Sequence, residues 1–493
     1  PRRRVPPADA DAARHERATP TGAARRRRRA EADADVTALT VATYNVLNLD
    51  PNDSDGSADV AECQFAAVAG HIARNLNAPD IVGLQEIQDD DGAADTDVVS
   101  ASLTLRTLAD AIVAAGGPRY ATVDNPFVTD DQTGGEPGGN IRTAFLYRED
   151  RVGLVEGSLR TATDPTDQAT NPENPFADSR LPLAADFIFG AETVTVVNNH
   201  FTSKGGSSPL FGAVQPPVNG GEEQRIAQAE AVNGFVDGLL RADPSANVVV
   251  LGDLNEFEFE EPIQALEGED EALRNLTNTL PEGERYSYVF EGNSQSLDHI
   301  LASGNLAPVA SFDAVHVNSE FAGAASDHDP LLARFDVAGR ALAGGNGSDD
   351  LAGGGFADTI SGGNGDDTLS AGGGADGLSG DNGDDALRGG PGADTLSGGN
   401  GGDPLEGGAG ADVLEGGNGG DRFVFGMRGG DDVVLDFERG DRLVLADGLA
   451  FAGAEERDAD GDGAVDTVVS FVDGGSALLP GLAGVADTNA LFA

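Results

Sequence analysis

The chain has 493 residues, more than one hydrophobic core usually serves, so its length favours two or more domains. It carries 84 acidic residues against 31 basic ones, a formal net charge of −53. This balance excludes a protein that holds polyanions through overall positive charge. An anionic substrate would need bound divalent cations to reverse the local sign.

The N-terminal residues 1–36 hold two arginine runs and no apolar core to bury, which predicts a disordered basic tail. The tail could contact nucleic acid or a membrane surface, or be a solvated leader. It lacks the apolar segment of a secretory signal, and because the first residue is Pro we expect a processed chain. No apolar run reaches the roughly 18 residues of a membrane span, so we expect no stable membrane insertion. The single cysteine, Cys63, excludes an intramolecular disulfide, and we expect it to be buried.

Residues 37–337 alternate short apolar runs with helical segments, which is typical of an α/β domain. One helical face carries Ile226, Ala229, Val232, Phe235 and Leu239. Polar residues follow the ends of the apolar runs, where open α/β sheets present their chemistry. The predicted strands are 38–47, 80–87, 141–148, 192–201, 248–251, 296–303 and 330–336, and the predicted helices are 66–77, 103–115 and 222–240.

The polar residues at these strand ends are of the types that metal-assisted phosphodiester cleavage needs. Hard cations such as Mg²⁺ or Mn²⁺ take carboxylate and amide oxygens, and histidines can carry protons. The candidate oxygen ligands and catalytic carboxylates are Asn45, Glu86, Asp253, Asn255 and Asp327, and the candidate proton carriers are His200 and His328.

Six motifs occur in order along residues 37–337: YNVLN, PDIVGLQE, NNHFTSK, GDLNE, SLDHIL and SDHDP. Together they resemble the endonuclease/exonuclease/phosphatase superfamily, whose members include nucleases similar to deoxyribonuclease I. SRLPLAADF and NHFTSKGG resemble its bacterial extracellular nuclease branch. The resemblance implies a four-layer α/β sandwich with two mixed sheets. It also implies hydrolysis of phosphodiesters in DNA, or in RNA, by metal-activated water.

The same resemblance implies a role for each motif residue. Glu86 would be the principal metal ligand, with Asn45 and Asp327 as further ligands. Asp253 would orient or deprotonate the attacking water, and Asn255 would hold a phosphate oxygen. His328 would be oriented by Asp298 and would either bind the scissile phosphate or act as an acid/base. His200 would occupy the position of the family's second histidine.

One departure concerns His200. Members similar to deoxyribonuclease support this histidine with a Glu just before the position of Arg142, whereas Asn140 and Ile141 stand there in this chain. The resemblance therefore does not carry over a protonation role for His200.

Three cations are candidates for substrate phosphate contacts. Arg142 and Arg180 could equally form ion pairs on an acidic surface. Lys204 is the only lysine in the chain, and a flexible ammonium is not interchangeable with a guanidinium. We hypothesise that Lys204 contacts a substrate phosphate.

Residues 344–424 consist of nine nonapeptides of the form GGxGxDxUx, which resembles the RTX, or hemolysin-type, calcium-binding repeat. Position eight is Leu except at Ile360 and Phe423. We predict a parallel, all-β β-roll that binds Ca²⁺ and is largely unfolded without it. We expect weaker sites near Phe356, which replaces a glycine, and near Pro404. The position-six residues, our calcium ligands, are Asp349, Asp358, Asp367, Asp376, Asp385, Asp394, Asp403, Asp412 and Asp421.

These observations predict four regions: the tail 1–36, the catalytic domain 37–337, the repeats 338–424, and a cap with a C-terminal type I secretion signal, 425–493. Within the last region, residues 458–466 could form a calcium loop or a hairpin turn. We expect a secreted, monomeric nuclease that is exported by the type I secretion machinery. Two alternatives stay open: a phosphoesterase of the same superfamily acting on phospholipid or inositol phosphate, and a calcium-dependent surface or adhesion module with an inactive enzyme domain.

Overall fold

The structure is a computed structural model, and the predicted N-terminal tail lies outside the residues it describes. It describes residues 38–492 except 53–62, 134–139, 191, 209–214, 216, 269–271, 291, 322–323, 338, 428, 447, 473–474 and 485–490.

The first region, residues 38–337, is named here the α/β domain. Its helices are α1 (Gln64–Gly70), continued by a π-helical turn (His71–Asn75), α2 (Ser102–Ala114), α3 (Glu222–Ala242) and α4 (Glu261–Glu267). Its strands are β1 (Ala38–Leu49), β2 (Ile81–Ile87), β3 (Ala121–Val123), β4 (Arg142–Tyr147), β5 (Gly153–Leu154), β6 (Leu183–Phe189), β7 (Glu192–His200), β8 (Asn247–Asp253), β9 (Leu273–Asn275), β10 (Tyr288–Phe290), β11 (Asn293–Gln295), β12 (Asp298–Ser303), β13 (Ala310–Ala314) and β14 (Leu331–Asp336).

Two six-stranded mixed sheets form the centre of the α/β domain. The first has the order β13-β14-β1-β2-β4-β3 and the second β5-β6-β7-β8-β12-β9. Only β1–β2 and β7–β8 are parallel among their described pairs, and the other pairs are antiparallel. The two central pairs meet at one edge of the domain, because Asn45 of β1 contacts Asp253 at the end of β8.

Three apolar clusters separate four layers. One packs α1 and α2 against the first sheet, one fills the space between the two sheets, and one packs α3 and α4 against the second sheet. This arrangement confirms the predicted four-layer α/β sandwich. Burial of these apolar faces supplies the main favourable free energy of folding.

Two details differ from expectation. The buried side of α3 includes Ala229 and Val232 as predicted, but also Arg225, Gln228 and Val236. A pattern of apolar residues alone cannot find buried polar side chains that have hydrogen-bond partners. The expectation that Cys63 is buried is wrong: it is exposed, because it is the N-cap residue of α1 and the helix buries its side chains only from Phe65 onward.

The second region is a β-roll, the name used here for residues 341–479. Its strands are β15 (Ala341–Ala343), β16 (Asp350–Gly354), β17 (Thr359–Asn364), β18 (Thr368–Gly372), β19 (Gly377–Asn382), β20 (Ala386–Pro391), β21 (Thr395–Gly401), β22 (Pro404–Ala409), β23 (Val413–Gly419), β24 (Arg422–Phe425), β25 (Asp431–Val434), β26 (Arg442–Leu445), β27 (Phe451–Arg457), β28 (Asp466–Phe471) and β29 (Ser476–Leu479).

From β15 to β26 the strands alternate between two sheets, so that each strand pairs in parallel with the strand two places along the chain. The last three strands differ: β29 pairs in parallel with β25, whereas β27–β28 and β28–β29 are antiparallel. The register advances by 18 residues, two nonapeptides, as in the pair Leu351 and Leu369. The apolar residues at position eight point into a narrow shared core. The predicted β-roll is confirmed, and it continues in register past residue 424 through β24, β25 and β26.

Among the residues that the structure describes, no helix is long and apolar enough to cross a membrane.

Candidate active site

The carboxyl ends of the central strands bring the motif residues together, although they lie far apart in the chain. The side-chain amide of Asn45, on β1, donates hydrogen bonds to Glu86 Oε1 at 3.0 Å and to Asp253 Oδ2 at 3.1 Å. Glu86 lies at an irregularity of β2 and has a positive φ of 58°. A β-bulge re-aims a side chain in this way, and strained backbone is common at functional sites.

Three adjacent strands place His200, Asp253 and Asp298 side by side. Asp253 is in register with His200 on β7 and with Asp298 on β12. Asp298 Oδ2 lies 2.6 Å from Nδ1 of His328, so the structure brings this predicted pair into contact. The other oxygen, Asp298 Oδ1, is buried and has no hydrogen-bond partner among the described residues.

The charges of this cluster set the protonation of its two histidines differently. Burial lowers the pKa of His328, but the carboxylates of Asp298 and Asp253 outweigh burial and hold that pKa well above its ordinary value. The pKa of His200 lies well below its ordinary value because of burial and the nearby charges of Arg180 and His328. His328 is therefore a cation and His200 is neutral near pH 7.

Asp253 is the third group of this cluster whose pKa is perturbed. Burial raises its pKa to about 7, with further contributions from the carboxylates of Asp298 and Glu86, while the charge of His328 opposes the rise. Carboxylates crowded in this way favour either a proton or a cation. Two sets of side chains offer ligand atoms within 4.8 Å of one another: Glu86, His200 and Asp253, and Asp253, Asp298 and His328.

The structure agrees with the absence, in the sequence, of a Glu that would support His200. Its Nε2 lies 3.8 Å from Glu86 Oε1 and 3.6 Å from Asp253 Oδ2, whereas its buried Nδ1 has no partner in the described part of the chain. Asn140 binds Asp89 and the carbonyl of Val98 instead. No carboxylate therefore orients the His200 ring through Nδ1.

The other predicted ligands occupy different positions. Asn45 presents its amide nitrogen to the carboxylates and its oxygen to Leu47 N, so coordination through oxygen would need the amide to turn. Asn255 is buried, and its amide nitrogen donates to the carbonyl of Phe201. Asp327 lies at the opening of the site, its side chain 46% exposed and 3.9 Å from His328 Nε2. The ligand roles of these residues stay predictions.

The three candidate cations have three different environments. Arg142 is buried, forms an ion pair with Asp124 at 3.2 Å and donates to the carbonyls of Asn140 and Val99. The guanidinium is held by loop groups beside the first sheet, while its Nη2 has no partner among the described residues, and the expected phosphate contact stays a prediction. Arg180 is buried near Glu86 and Asp253, whose charges act on it, and donates to the carbonyl of Phe201.

Lys204 has a partner in the α/β domain. Its ammonium contacts the carboxylate of Glu256 and lies 4.7 Å from the ring centre of Phe257. Glu256 is fully buried and also binds Arg225 at 2.7 Å. The carbonyl of Glu256 accepts a hydrogen bond from His299 Nε2, which gives His299 a structural role. Glu256 thus fixes the loop that follows Asp253.

Several aromatic residues near the site were not found by sequence reasoning. Tyr288 lies against the His328 ring, with the ring centroids 4.8 Å apart. Burial raises the pKa of Tyr288, and nearby carboxylates and a hydrogen bond with Asp327 add to the rise. Phe257 and Phe259 stack at 5.7 Å, and Phe259 is 63% exposed. The signal was available in the sequence, because Phe257 directly follows GDLNE and Phe259 stands two residues further on.

The β-roll presents a row of buried carboxylates that fits calcium. From Asp358 onward, each position-six Asp accepts a backbone N–H from the residue 18 positions earlier through one oxygen, as in Asp376 Oδ1 with Asp358 N. Carboxylate and exposed glycine carbonyl oxygens are the ligands that Ca²⁺ takes. The other oxygen has no partner within the described residues in Asp367, Asp376, Asp385, Asp394, Asp403 and Asp412.

The sequence allowed either a calcium loop or a hairpin turn for residues 458–466. In the structure this segment joins the antiparallel strands β27 and β28 as a hairpin connection. Asp458, Asp460 and Asp466 cluster there, but both oxygens of Asp466 already accept backbone N–H groups.

Comparison with known proteins agrees with this geometry. Residues 42–328 match the Endonuclease/Exonuclease/phosphatase family, and residues 343–378, 379–403 and 397–434 match the RTX calcium-binding nonapeptide repeat. No curated protein sequence matches the chain.

Solved structures similar to the chain share little sequence with it. Truncated TDP2 of Caenorhabditis elegans is 17% identical, with a TM-score of 0.41 over 60% of this chain and 97% of that one. The human nocturnin catalytic domain with bound sulfate is 15% identical, with a TM-score of 0.40 over 61% and 94%. An endonuclease/exonuclease/phosphatase family protein from Bacteroides thetaiotaomicron is 16% identical, with a TM-score of 0.39 over 60% and 94%.

The family match spans more than half of the chain, and it includes the carboxylate and histidine cluster described above. The chain therefore belongs to the endonuclease/exonuclease/phosphatase family, and it carries RTX calcium-binding repeats after that domain.

Proposed function

We propose that the chain is a secreted, divalent-metal-dependent nuclease that hydrolyses phosphodiester bonds of DNA, or of RNA. One observation carries the proposal: Glu86, Asp253 and the charged pair of His328 with Asp298 converge at the ends of strands from both sheets. Members of the family hydrolyse phosphodiesters, and this cluster supplies the groups which that reaction uses.

The donor set suits a hard divalent cation. Glu86 would be the principal ligand, and the crowded carboxylates of Asp253 and Asp298 supply a negative field that a cation would stabilise. Mg²⁺ or Mn²⁺ held there would polarise a phosphate oxygen and lower the pKa of the attacking water.

The residues of the chain would orient the reactants and move protons. Asp253 would position the attacking water and accept its proton, and its raised pKa makes the carboxylate a stronger base near neutral pH. His328 holds one proton at Nδ1 toward Asp298, and its Nε2 proton would bind the scissile phosphate or pass to the leaving oxygen. Neutral His200 would accept or donate a hydrogen bond without adding charge.

The loop after Asp253 supports a substrate that carries bases. Phe259 is exposed and stacks on Phe257, two residues beyond Asn255. Exposed aromatic rings beside a phosphate site bind nucleobases of any sequence by stacking. Lys204, at the Phe257 ring, would turn from Glu256 to a substrate phosphate.

A phosphoesterase acting on phospholipid or inositol phosphate is the second candidate. Phe259 and Phe290 are both exposed large apolar side chains, and such side chains can also enter a lipid interface. A calcium-dependent adhesion module with an inactive enzyme domain fits less well, because the carboxylate and histidine cluster is intact.

A parallel assay tests the proposed activity. Supercoiled plasmid, linear DNA, RNA and a sphingomyelin analogue would be offered with Mg²⁺, Mn²⁺ or Ca²⁺ to the wild type and to Asp253→Asn. We expect nucleic acid to be cleaved with Mg²⁺ or Mn²⁺ by the wild type only. Cleavage of the lipid analogue alone would establish the second candidate, and no cleavage of any substrate would overturn both.

The proposal includes export by the type I secretion machinery, which the RTX repeats support. Low cytoplasmic calcium would keep the repeats unfolded for passage, and calcium outside the cell would fold them. Part of the predicted C-terminal signal, Ser476–Leu479, is strand β29, whereas residues 485–490 lie outside the described part. Removal of residues 480–493 should abolish export in a strain with the matching secretion machinery, and continued export would contradict this part of the proposal.

A further inference from the structure

Phe356 is the one exception to a strict rule of the repeats. Position four is glycine in the other eight nonapeptides, and each of those glycines has a positive φ between 111° and 156°. Phe356 does not have a positive φ. The turn that contains Phe356 is therefore built differently from the other turns, and calcium binding by the repeats alone does not explain a large apolar side chain there.

The Phe356 side chain belongs to the core of the α/β domain and not to that of the β-roll. It is 2% exposed and is part of the apolar cluster between the two sheets, whose members include Leu306 and Val337. The inward-pointing residues at position eight form a separate cluster. We propose that Phe356 docks the β-roll onto the α/β domain, so that folding of the β-roll on calcium stabilises the α/β domain.

Close contacts of the backbone surround this side chain. Asn305, in the turn after β12, lies close to two repeat turns. A Cβ on Gly355 would be 2.8 Å from the Asn305 carbonyl oxygen, so any other residue there would force a shift of the backbone, and a Cβ on Gly373 would be 3.3 Å from Asn305 Oδ1. Burial raises the pKa of the carboxyl of Glu192, at the start of β7, and the nearby backbone N–H of Ala357 opposes that rise. Polar and apolar contacts therefore converge on residues 355–357.

The docking surface lies at the far end of the second sheet from the active site. Glu192 begins β7 and His200 ends it, nine residues along an extended strand, which corresponds to about 26 Å. The β-roll therefore supplies no group to the reacting phosphate through this contact. Its influence on the active site would act through the stability of the domain.

The calcium-binding row connects directly to Phe356. Asp358, two residues later, accepts backbone N–H groups from Gly354 and Arg340, and its own N–H donates to Asp376 Oδ1 at 2.7 Å. Ligands at Asp358 and Asp376 would fix both sides of the Phe356 turn. Without calcium the repelling carboxylates would loosen the turn, and Phe356 would leave the α/β core.

The tyrosines of the chain make the coupling measurable. All five lie between residues 44 and 288, within the α/β domain, and the chain has no tryptophan. Thermal unfolding followed by tyrosine fluorescence reports on that domain alone. With excess magnesium in both samples, we expect calcium to raise the tyrosine-detected Tm of the full chain by roughly 2–5 °C, as burial of one phenylalanine predicts for a domain of this size.

Phe356→Gly restores the repeat glycine and tests the docking contact. We expect it to abolish most of the calcium-dependent Tm shift, while far-UV circular dichroism still shows folding of the β-roll on calcium. Phe423→Leu, which restores the usual repeat leucine away from the α/β domain, is the matched control and should keep the shift. Phe356→Leu should give an intermediate shift if the glycine variant does not fold. Equal tyrosine-detected Tm values with and without calcium in the wild type, or a full shift in Phe356→Gly, would overturn the proposal.

Discussion

The α/β domain and the β-roll reach their stability by opposite means. In the α/β domain, contacts join distant parts of the chain, as between Asn45 and Asp253, 208 residues apart. In the β-roll, hydrogen bonds repeat between residues 18 apart. Its core is narrow and is formed mainly by the single position-eight residue that each repeat strand contributes. The first region buries three apolar clusters, whereas the second stacks carboxylates whose mutual repulsion is relieved by bound cations or protons.

Calcium removal should separate the two regions most sharply. With a chelator added to the full chain, we expect residues 344–424 to lose most of their strand structure, because carboxylates such as Asp394 and Asp412 would repel one another. Far-UV circular dichroism would record that loss, while near-UV tyrosine signals at room temperature would persist. An unchanged far-UV spectrum would show that the β-roll does not depend on calcium.

Asp253→Asn should give the next largest effect, confined to the α/β domain. The amide cannot accept the proton of the attacking water, so we expect nuclease activity to fall by about 10²–10⁴-fold. Tm should stay the same or rise, because a neutral side chain no longer repels Glu86 and Asp298. Activity within tenfold of the wild type would remove Asp253 from its proposed role.

Phe259→Ala tests whether the substrate carries bases. Loss of one stacked base should raise KM for single-stranded oligonucleotides by about 5- to 100-fold, with little change for an abasic oligonucleotide of equal length. Phe290→Ala, which removes another exposed phenylalanine, is the control. Equal effects of Phe259→Ala on both substrates would exclude stacking.

The stability of the calcium-free β-roll should change with pH in the opposite direction to the stability of the calcium-loaded β-roll. Burial raises the pKa of Asp394 to about 7 and that of Asp403 to about 6. A carboxyl whose pKa is raised on folding stabilises the fold when protonated, and this stabilisation is lost as pH rises through 6–7. Without calcium, the largely unfolded β-roll should therefore gain far-UV strand signal as pH falls from 7.5 to 5. With calcium, its Tm should fall over the same pH range, because protons displace the cation. The same direction in both samples would show that these carboxyls do not bind calcium.

Lys204→Arg should have the smallest effect. A guanidinium is wider than the ammonium that sits between Glu256 and Phe257, so we expect a modest rise in KM for DNA with kcat unchanged. Unchanged kinetics would contradict the proposed contact of Lys204 with a phosphate.

Sequence reasoning found most of what repeats or follows a strict pattern. The period of nine residues, with Asp at position six and an apolar residue at position eight, determined the β-roll because each turn depends only on its neighbours. Motif order similarly indicated Glu86, Asp253 and His328, since polar residues at strand ends meet at one edge of a sheet.

Only the tertiary structure decided matters that depend on what packs against what. It placed Arg142 in a buried ion pair, left His200 Nδ1 without a carboxylate and brought Tyr288 onto the His328 ring. It also gave Phe356, which the repeat pattern marks only as an irregular residue, a place in the core of the other domain. Local patterns record a residue's neighbours in the chain, whereas these contacts arise between segments whose approach is fixed only when the whole core assembles.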